Sequence, residues 1–120
     1  MFDKFRPSHL LRGEKSEQLA CNYLIKQGLS VVEKNFRCQY GELDLLMMDE
    51  QTLVIVEVRY RKSNTHGSAV ESITAKKQAR IIATTQYYLL TNKIDSLIRF
   101  DVISMSNDRE INWIKNAFQV

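Results

Sequence analysis

One proline, four glycines and two cysteines leave this 120-residue chain little material for linkers, disordered tails or a disulfide framework. Cys21 and Cys38 form no Cys-x-x-Cys pair and stand apart from any histidine cluster. That sets aside a zinc or redox motif and favours reduced thiols in a cytosolic protein. The opening Met1-Phe2-Asp3-Lys4-Phe5-Arg6-Pro7 lacks the apolar centre of a signal peptide, and no apolar run approaches the roughly 20 residues that cross a bilayer. No segment repeats. An excess of one charge is missing too, because a net charge of +3 is too small to identify a partner by itself. Aromatic side chains make up 9% and form no stacking platform for a single strand; Tyr87, Tyr88 and Trp113 read as core or half-buried residues. What remains is a cytoplasmic protein without a membrane segment, one domain over residues 1–120 with an ordinary 44% hydrophobic content. A chain of this length buries about two-thirds of its unfolded surface.

Along the chain, Leu11 to Gln27 reads as a helix with Leu19, Ala20, Tyr23 and Leu24 at helical spacing, and Gly28 as its stop. Leu29 to Phe36, Glu42 to Met48 and Leu53 to Arg61 read as three strands, joined by a turn at Tyr40-Gly41 and a hairpin loop at Asp49-Glu50-Gln51. After a polar loop, Lys62 to Gly67, Ser68 and Glu71 match a capping box. The helix it opens runs to about Leu90, burying Ile81, Ile82, Ala83 and Leu89 or Leu90, and Asn92 ends it. Leu97 to Met105 and Ile111 to Lys115 complete the set. The order α-β-β-β-α-β-β predicts one α/β domain with a mixed sheet flanked by helices.

Within Leu53-Val54-Ile55-Val56-Glu57-Val58-Arg59-Tyr60-Arg61, a run that otherwise reads as a buried strand, Glu57 is out of place. A carboxylate there loses hydration at a cost that a cation must offset. Asp44 repeats the anomaly in Gly41-Glu42-Leu43-Asp44-Leu45-Leu46. Strand alternation puts Glu57, Arg59 and Arg61 on one face, and Val54, Val56, Val58 and Tyr60 on the other, which must pack on a helix. Glu42, Asp44, Leu46 and Met48 share a face of the preceding strand. A hairpin register that brings Asp44 within about 5 Å of Glu57 creates a repulsion of roughly 3 kcal/mol at an effective dielectric near 20, enough to raise one pKa by about two units. Mg²⁺ or Mn²⁺ would relieve it. The alternative is a salt bridge from either acid to an arginine, and spacing alone does not choose.

Glu17, at the edge of the first helix's buried stripe, could add a third acid, or be a glutamate favoured by the helix dipole. Basic residues gather downstream: Arg59, Arg61 and Lys62, then Lys76, Lys77 and Arg80. Such a patch suits a phosphodiester, which needs cations for its backbone and its transition state, although a solvated helix face also explains lysines. His66, alone in its loop, carries no assignment.

Gly13-x-x-x-Glu17-x-x-Ala20-x-x-Tyr23-Leu24, Asn35-x-Arg37, Gly41-Glu42-Leu43-Asp44, Val56-Glu57-Val58-Arg59-Tyr60-Arg61, Lys77, Arg99-Phe100-Asp101-Val102 and Asn116-Ala117-Phe118 resemble, as an ordered set, the YraN family of small bacterial proteins. That family looks like a branch of the PD-(D/E)XK nuclease superfamily, similar in architecture to restriction endonucleases and Holliday-junction resolvases. The resemblance implies a restriction endonuclease-like fold and a Mg²⁺- or Mn²⁺-dependent endonuclease acting on DNA, branched or damaged DNA included. By it Asp44 is the motif aspartate, Glu57 the second acid and Glu17 the helix carboxylate, all three toward the metal, while Arg59 and Lys77 face the scissile phosphate. The superfamily's motif ends in lysine where this chain has Arg59. An arginine is always protonated and cannot be a general base, yet it can orient a phosphate, and Lys77 is an alternative ammonium. A non-catalytic nucleic-acid-binding domain is the second reading. Oligomeric state stays open, a homodimer included.

Overall fold

The computed structural model describes residues 8–61, 70–106 and 110–119. Its elements are α1 (Ser8–Lys26), β1 (Ser30–Cys38), β2 (Gly41–Asp49), β3 (Thr52–Arg61), α2 (Ala75–Thr91), β4 (Leu97–Ser106) and β5 (Ile111–Phe118). The predicted order is the observed one. The strands form a single five-stranded sheet in sequence order. β1, β2 and β3 make an antiparallel meander, α2 carries the chain over so that β4 runs parallel to β3, and β5 returns antiparallel to β4.

Strand alternation divides the sheet into two apolar layers. Leu45, Met47, Val54, Val56, Ile103 and Met105 pack with Ala20, Cys21 and Leu24 of α1. Leu46, Leu53, Ile55, Phe100 and Val102 pack with Ile81 and Tyr88 of α2. The valine face of β3 therefore meets a helix, as its pattern requires, and that helix is α1. Gly28, at φ +102, closes α1: its N–H reaches Ile25 O, and the Leu29 N–H reaches Leu24 O, both at 3.0 Å. Only a residue free to adopt positive φ makes this turn cheaply, and it drops Leu29 onto Leu24 in the same core layer.

Three expectations are corrected. The second helix does not open at Ser68, which lies outside the described residues; its cap is Thr74, whose hydroxyl accepts the Lys77 N–H at 3.1 Å, and Glu71 sits in a turn before it. Its buried stripe is Ile81, Thr84, Thr85 and Tyr88, whereas Leu90 is 80% exposed and Ile82, Ala83 and Leu89 only half-buried. The threonines can be buried because Thr84 and Thr85 donate their hydroxyl protons to Arg80 O (2.7 Å) and Ile81 O (2.8 Å). Finally, β2 does not keep one alternation throughout. Leu43 joins Leu46 under α2, although counting by twos from Leu45 assigns it to the other layer. The slip falls at Asp44, opposite Asn35, which stands in the left-handed region at φ +53 between the pairs Lys34–Leu45 and Phe36–Leu43.

Gly41 fixes how closely α2 approaches β2. Its φ is +151, and a Cβ there would lie 3.1 Å from Thr84 Oγ1. Gly41→Ala is expected to cost about 1–2 kcal/mol, through strain at positive φ and displacement of α2. A lower urea midpoint at unchanged slope would show it; an unshifted midpoint would mean the helix yields freely.

Candidate active site

The antiparallel register of β2 and β3 runs from Asp49–Thr52 to Leu45–Val56 and stops there. One further step would set Asp44 against Glu57. Instead of a β2 backbone carbonyl, the Asp44 carboxylate meets β3: its Oδ2 accepts the Val58 N–H at 2.9 Å. A side chain thus holds the separating strands, and the gap it spans contains both acids.

Glu57 is 3% exposed, on the α2 side of β3. Its Oε1 faces Arg59 Nη2 at 3.7 Å and, from the first turn of α2, Lys77 Nζ at 3.9 Å. These are long ion pairs, and neither closes as a good hydrogen bond. Glu57 Oε2 and Arg59 Nε are buried with no hydrogen-bond partner among the described residues. The electrostatics follow from this incomplete compensation. Burial first, then the Asp44 charge, push the Glu57 carboxyl up to about 8, against the pull of Lys77 and Arg59. Asp44 is raised as well, chiefly by burial, with the Val58 N–H opposing. Desolvation, rather than the pair's mutual repulsion, is the larger cause.

The other predicted residues divide. Arg59 and Lys77 converge on Glu57. Arg61 is half-buried at the end of β3, Lys76 and Arg80 are exposed on α2, and Lys62 and His66 lie outside the described residues. Glu17 does not complete a three-acid group: no cluster of three or more metal-ligating side chains occurs among the described residues. Its carboxylate is held by the Asn35 amide, whose nitrogen, oriented as donor, lies 2.7 and 3.1 Å from the two oxygens. Since Asn35 is the left-handed residue opposite Asp44, the glutamate ties α1 to the irregular turn of the sheet that presents Asp44.

Sequence reasoning missed two features. Thr74 sets the first turn of α2, and so the position from which Lys77 reaches the site. Asp101, fully buried on β4, accepts from Arg99 Nε and Nη2, Trp113 Nε1 and Asn116 N, each at 2.9 Å. A third acid inside an apolar strand, two residues after an arginine, was the available signal.

Residues 16–105 match the sequence profile described as "Uncharacterised protein family UPF0102". A UPF0102 protein of Nitrosococcus oceani is 42% identical over 118 residues, covering 94% of this chain and 95% of the relative. One from Nitrosomonas europaea is 47% identical over 109 residues (89% and 92%), and one from Coxiella burnetii 46% over 110 residues (90% and 92%). Among the described residues no helix is long and apolar enough to cross a membrane.

Proposed function

The chain belongs to the uncharacterised protein family UPF0102, the YraN family, and on that footing we propose that it is a divalent-metal-dependent endonuclease of restriction endonuclease-like fold, acting on DNA in the cytoplasm. The observation that carries this reading is the state of Glu57. It is buried beside a second acid, two cations stand at long range from one of its oxygens, and the other oxygen has no partner among the described residues. An arrangement with that many unmet demands costs stability unless something else satisfies them.

The donor set fits Mg²⁺ or Mn²⁺: two carboxylates and no sulfur, with one Glu57 oxygen left without a partner among the described residues. Asp44 and Glu57 would hold the ion, which when bound would supply Lewis-acid stabilisation and a more acidic water. The rest is the work of the chain's own side chains. Arg59 cannot serve as a general base, but its buried Nε has no hydrogen-bond partner among the described residues and would be satisfied by a phosphate oxygen. Lys77 brings a compact ammonium to Glu57 from α2 and would supply the ammonium that arginine at position 59 replaces. Glu17 takes a positioning role through Asn35. Arg61, Lys62, Lys76 and Arg80 supply counter-charge along the nucleic-acid backbone.

The test is cleavage of linear, single-stranded and four-way DNA with Mn²⁺ by the wild type, Asp44→Asn and Glu57→Gln. The wild type should nick at least one substrate, and each variant should fall below roughly a hundredth of its rate, because each removes a ligand oxygen. Equal nicking by all three proteins would reveal a contaminant and remove the enzyme. Arginine at position 59 favours the second reading, a nucleic-acid-binding domain without turnover. Salt-sensitive binding by a wild type that never cuts would select it.

A further inference from the structure

Beyond the carboxylate pair, the parallel strands β3 and β4 carry a second set of polar groups toward their C-terminal ends. Register places Ser104 beside Arg59 and Ser106 beside Arg61. Both serines follow Val102, a residue of the α2-side core, at steps of two, so they share the face that carries Glu57. Both are buried, Ser106 to 5% exposure, and the Ser106 Oγ has no hydrogen-bond partner among the described residues. A hydroxyl can donate or accept, but an arginine only donates. The unpartnered atoms at the two ends of this row are therefore complementary to different ligands. Glu57 Oε2 requires a cation or a proton, whereas Arg59 Nε and Ser106 Oγ can together be satisfied by the oxygens of an anion.

We propose that Ser104, Ser106 and Arg61 form a second phosphate seat, so that a nucleic-acid strand is held by consecutive phosphodiesters. One lies at Asp44, Glu57 and Arg59, and its neighbour lies over Ser106 and Arg61. Along β3, Arg61 stands about 6.6 Å from Arg59 and about 13 Å from Glu57, which brackets the separation of the two seats. The inference rests on the nuclease reading for the first of these positions. It narrows the substrate to a strand with at least two linked phosphates and explains why serines, rather than apolar residues, end a strand that is buried from Phe100 onward.

The experiment is fluorescence anisotropy of a fluorescein-labelled DNA strand with Ca²⁺ present, alongside thermal unfolding without DNA. Proteins compared are the wild type, Ser106→Ala, Ser104→Ala/Ser106→Ala and Arg61→Gln. Ser106→Ala should bind about tenfold more weakly, the loss of one hydrogen bond to a charged acceptor, and the double variant more weakly still. Ser106→Ala should melt at the wild-type temperature or above it, because its hydroxyl makes no hydrogen bond among the described residues. Arg61→Gln should also weaken binding and lower the salt slope by about one. Unchanged affinity in the double variant and in Arg61→Gln would overturn the seat, as would a lower melting temperature that accounts for the loss. A wild type that cuts while the serine variants bind normally retains the nuclease and loses the seat. Serine-dependent binding without any cutting does the reverse.

Discussion

Glu57→Gln is expected to stabilise the metal-free protein, and by more as the pH rises. The folded-state carboxyl is raised to about 8 from an ordinary value of 4.5, so the native state holds a proton that the unfolded chain has already released over that interval. Where the native state binds more protons, stability falls as pH increases. The contribution of Glu57 is thus full below the unfolded value, declines from there through the folded value, and is exhausted above it. Glutamine does not titrate. The stability difference between variant and wild type should therefore widen by on the order of 4 kcal/mol between about pH 4 and about pH 9. Denaturant midpoints of both proteins across that range measure it directly. Parallel curves would mean that water or local movement already relieves the buried charge, and the reason for placing a cation there would disappear.

The same linkage ties stability to the proposed metal. Ligation requires deprotonated carboxylates, so affinity for Mn²⁺ should climb with pH until Glu57 is fully ionised and then level off. The wild type should gain thermal stability from Mn²⁺ most strongly at the upper end of that range, and Glu57→Gln should gain none through this site. On the proposed reading, a residue that would weaken the empty fold and strengthen the loaded one would account for so costly a carboxylate at the centre of a sheet.

Much of this was legible from residue types alone. Val54, Val56, Val58 and Tyr60 alternate with Glu57 and Arg59 by a period of two, and the buried layer they form could be read from that period. Gly28 announced the end of α1 because its conformation is costly for other residues. The misreadings have physical causes. Ser68 and Glu71 imitate a capping box, while the cap that forms, Thr74, has Lys77 where an acid would complete the motif. Thr84 and Thr85 look like solvent residues until their hydroxyls turn back to the helix carbonyls. The face change at Asp44 is set by Asn35 on another strand, and no periodicity within β2 contains it. Glu17 could be assigned to a metal only by resemblance, because its partner is also Asn35.

Asp101 shows the same limit, and its removal should be the most damaging single change on the α1 side of the sheet. Its oxygens accept four hydrogen bonds, two from Arg99 within β4 and two from β5 through Trp113 and the Asn116 backbone. Those last two cross the irregular stretch of the β4–β5 register between Phe100 and Val102, where Asn116 adopts φ +53. An ordinary ladder cannot pair a strand at such a place, so the carboxylate satisfies the amide that the backbone leaves over. Arg99 also reaches Asp49 Oδ2 at 3.0 Å, which links the β2–β3 hairpin to the same group. Asp101→Ala would leave an indole N–H and a backbone N–H without their acceptor and the half-buried guanidinium with Asp49 alone, and the expected loss is about 3–5 kcal/mol. Asp101→Asn should recover only part of it, since one oxygen would be replaced by a donor facing donors. Urea unfolding followed by the fluorescence of Trp113, the sole tryptophan, reads both the stability and the local environment. If Asp101→Ala unfolds at the wild-type midpoint, β5 is held by its ladder to β4 and its apolar contacts, among them Phe118 stacked on Phe100 with centroids 5.0 Å apart, and the buried carboxylate would need a role other than anchoring the edge strand.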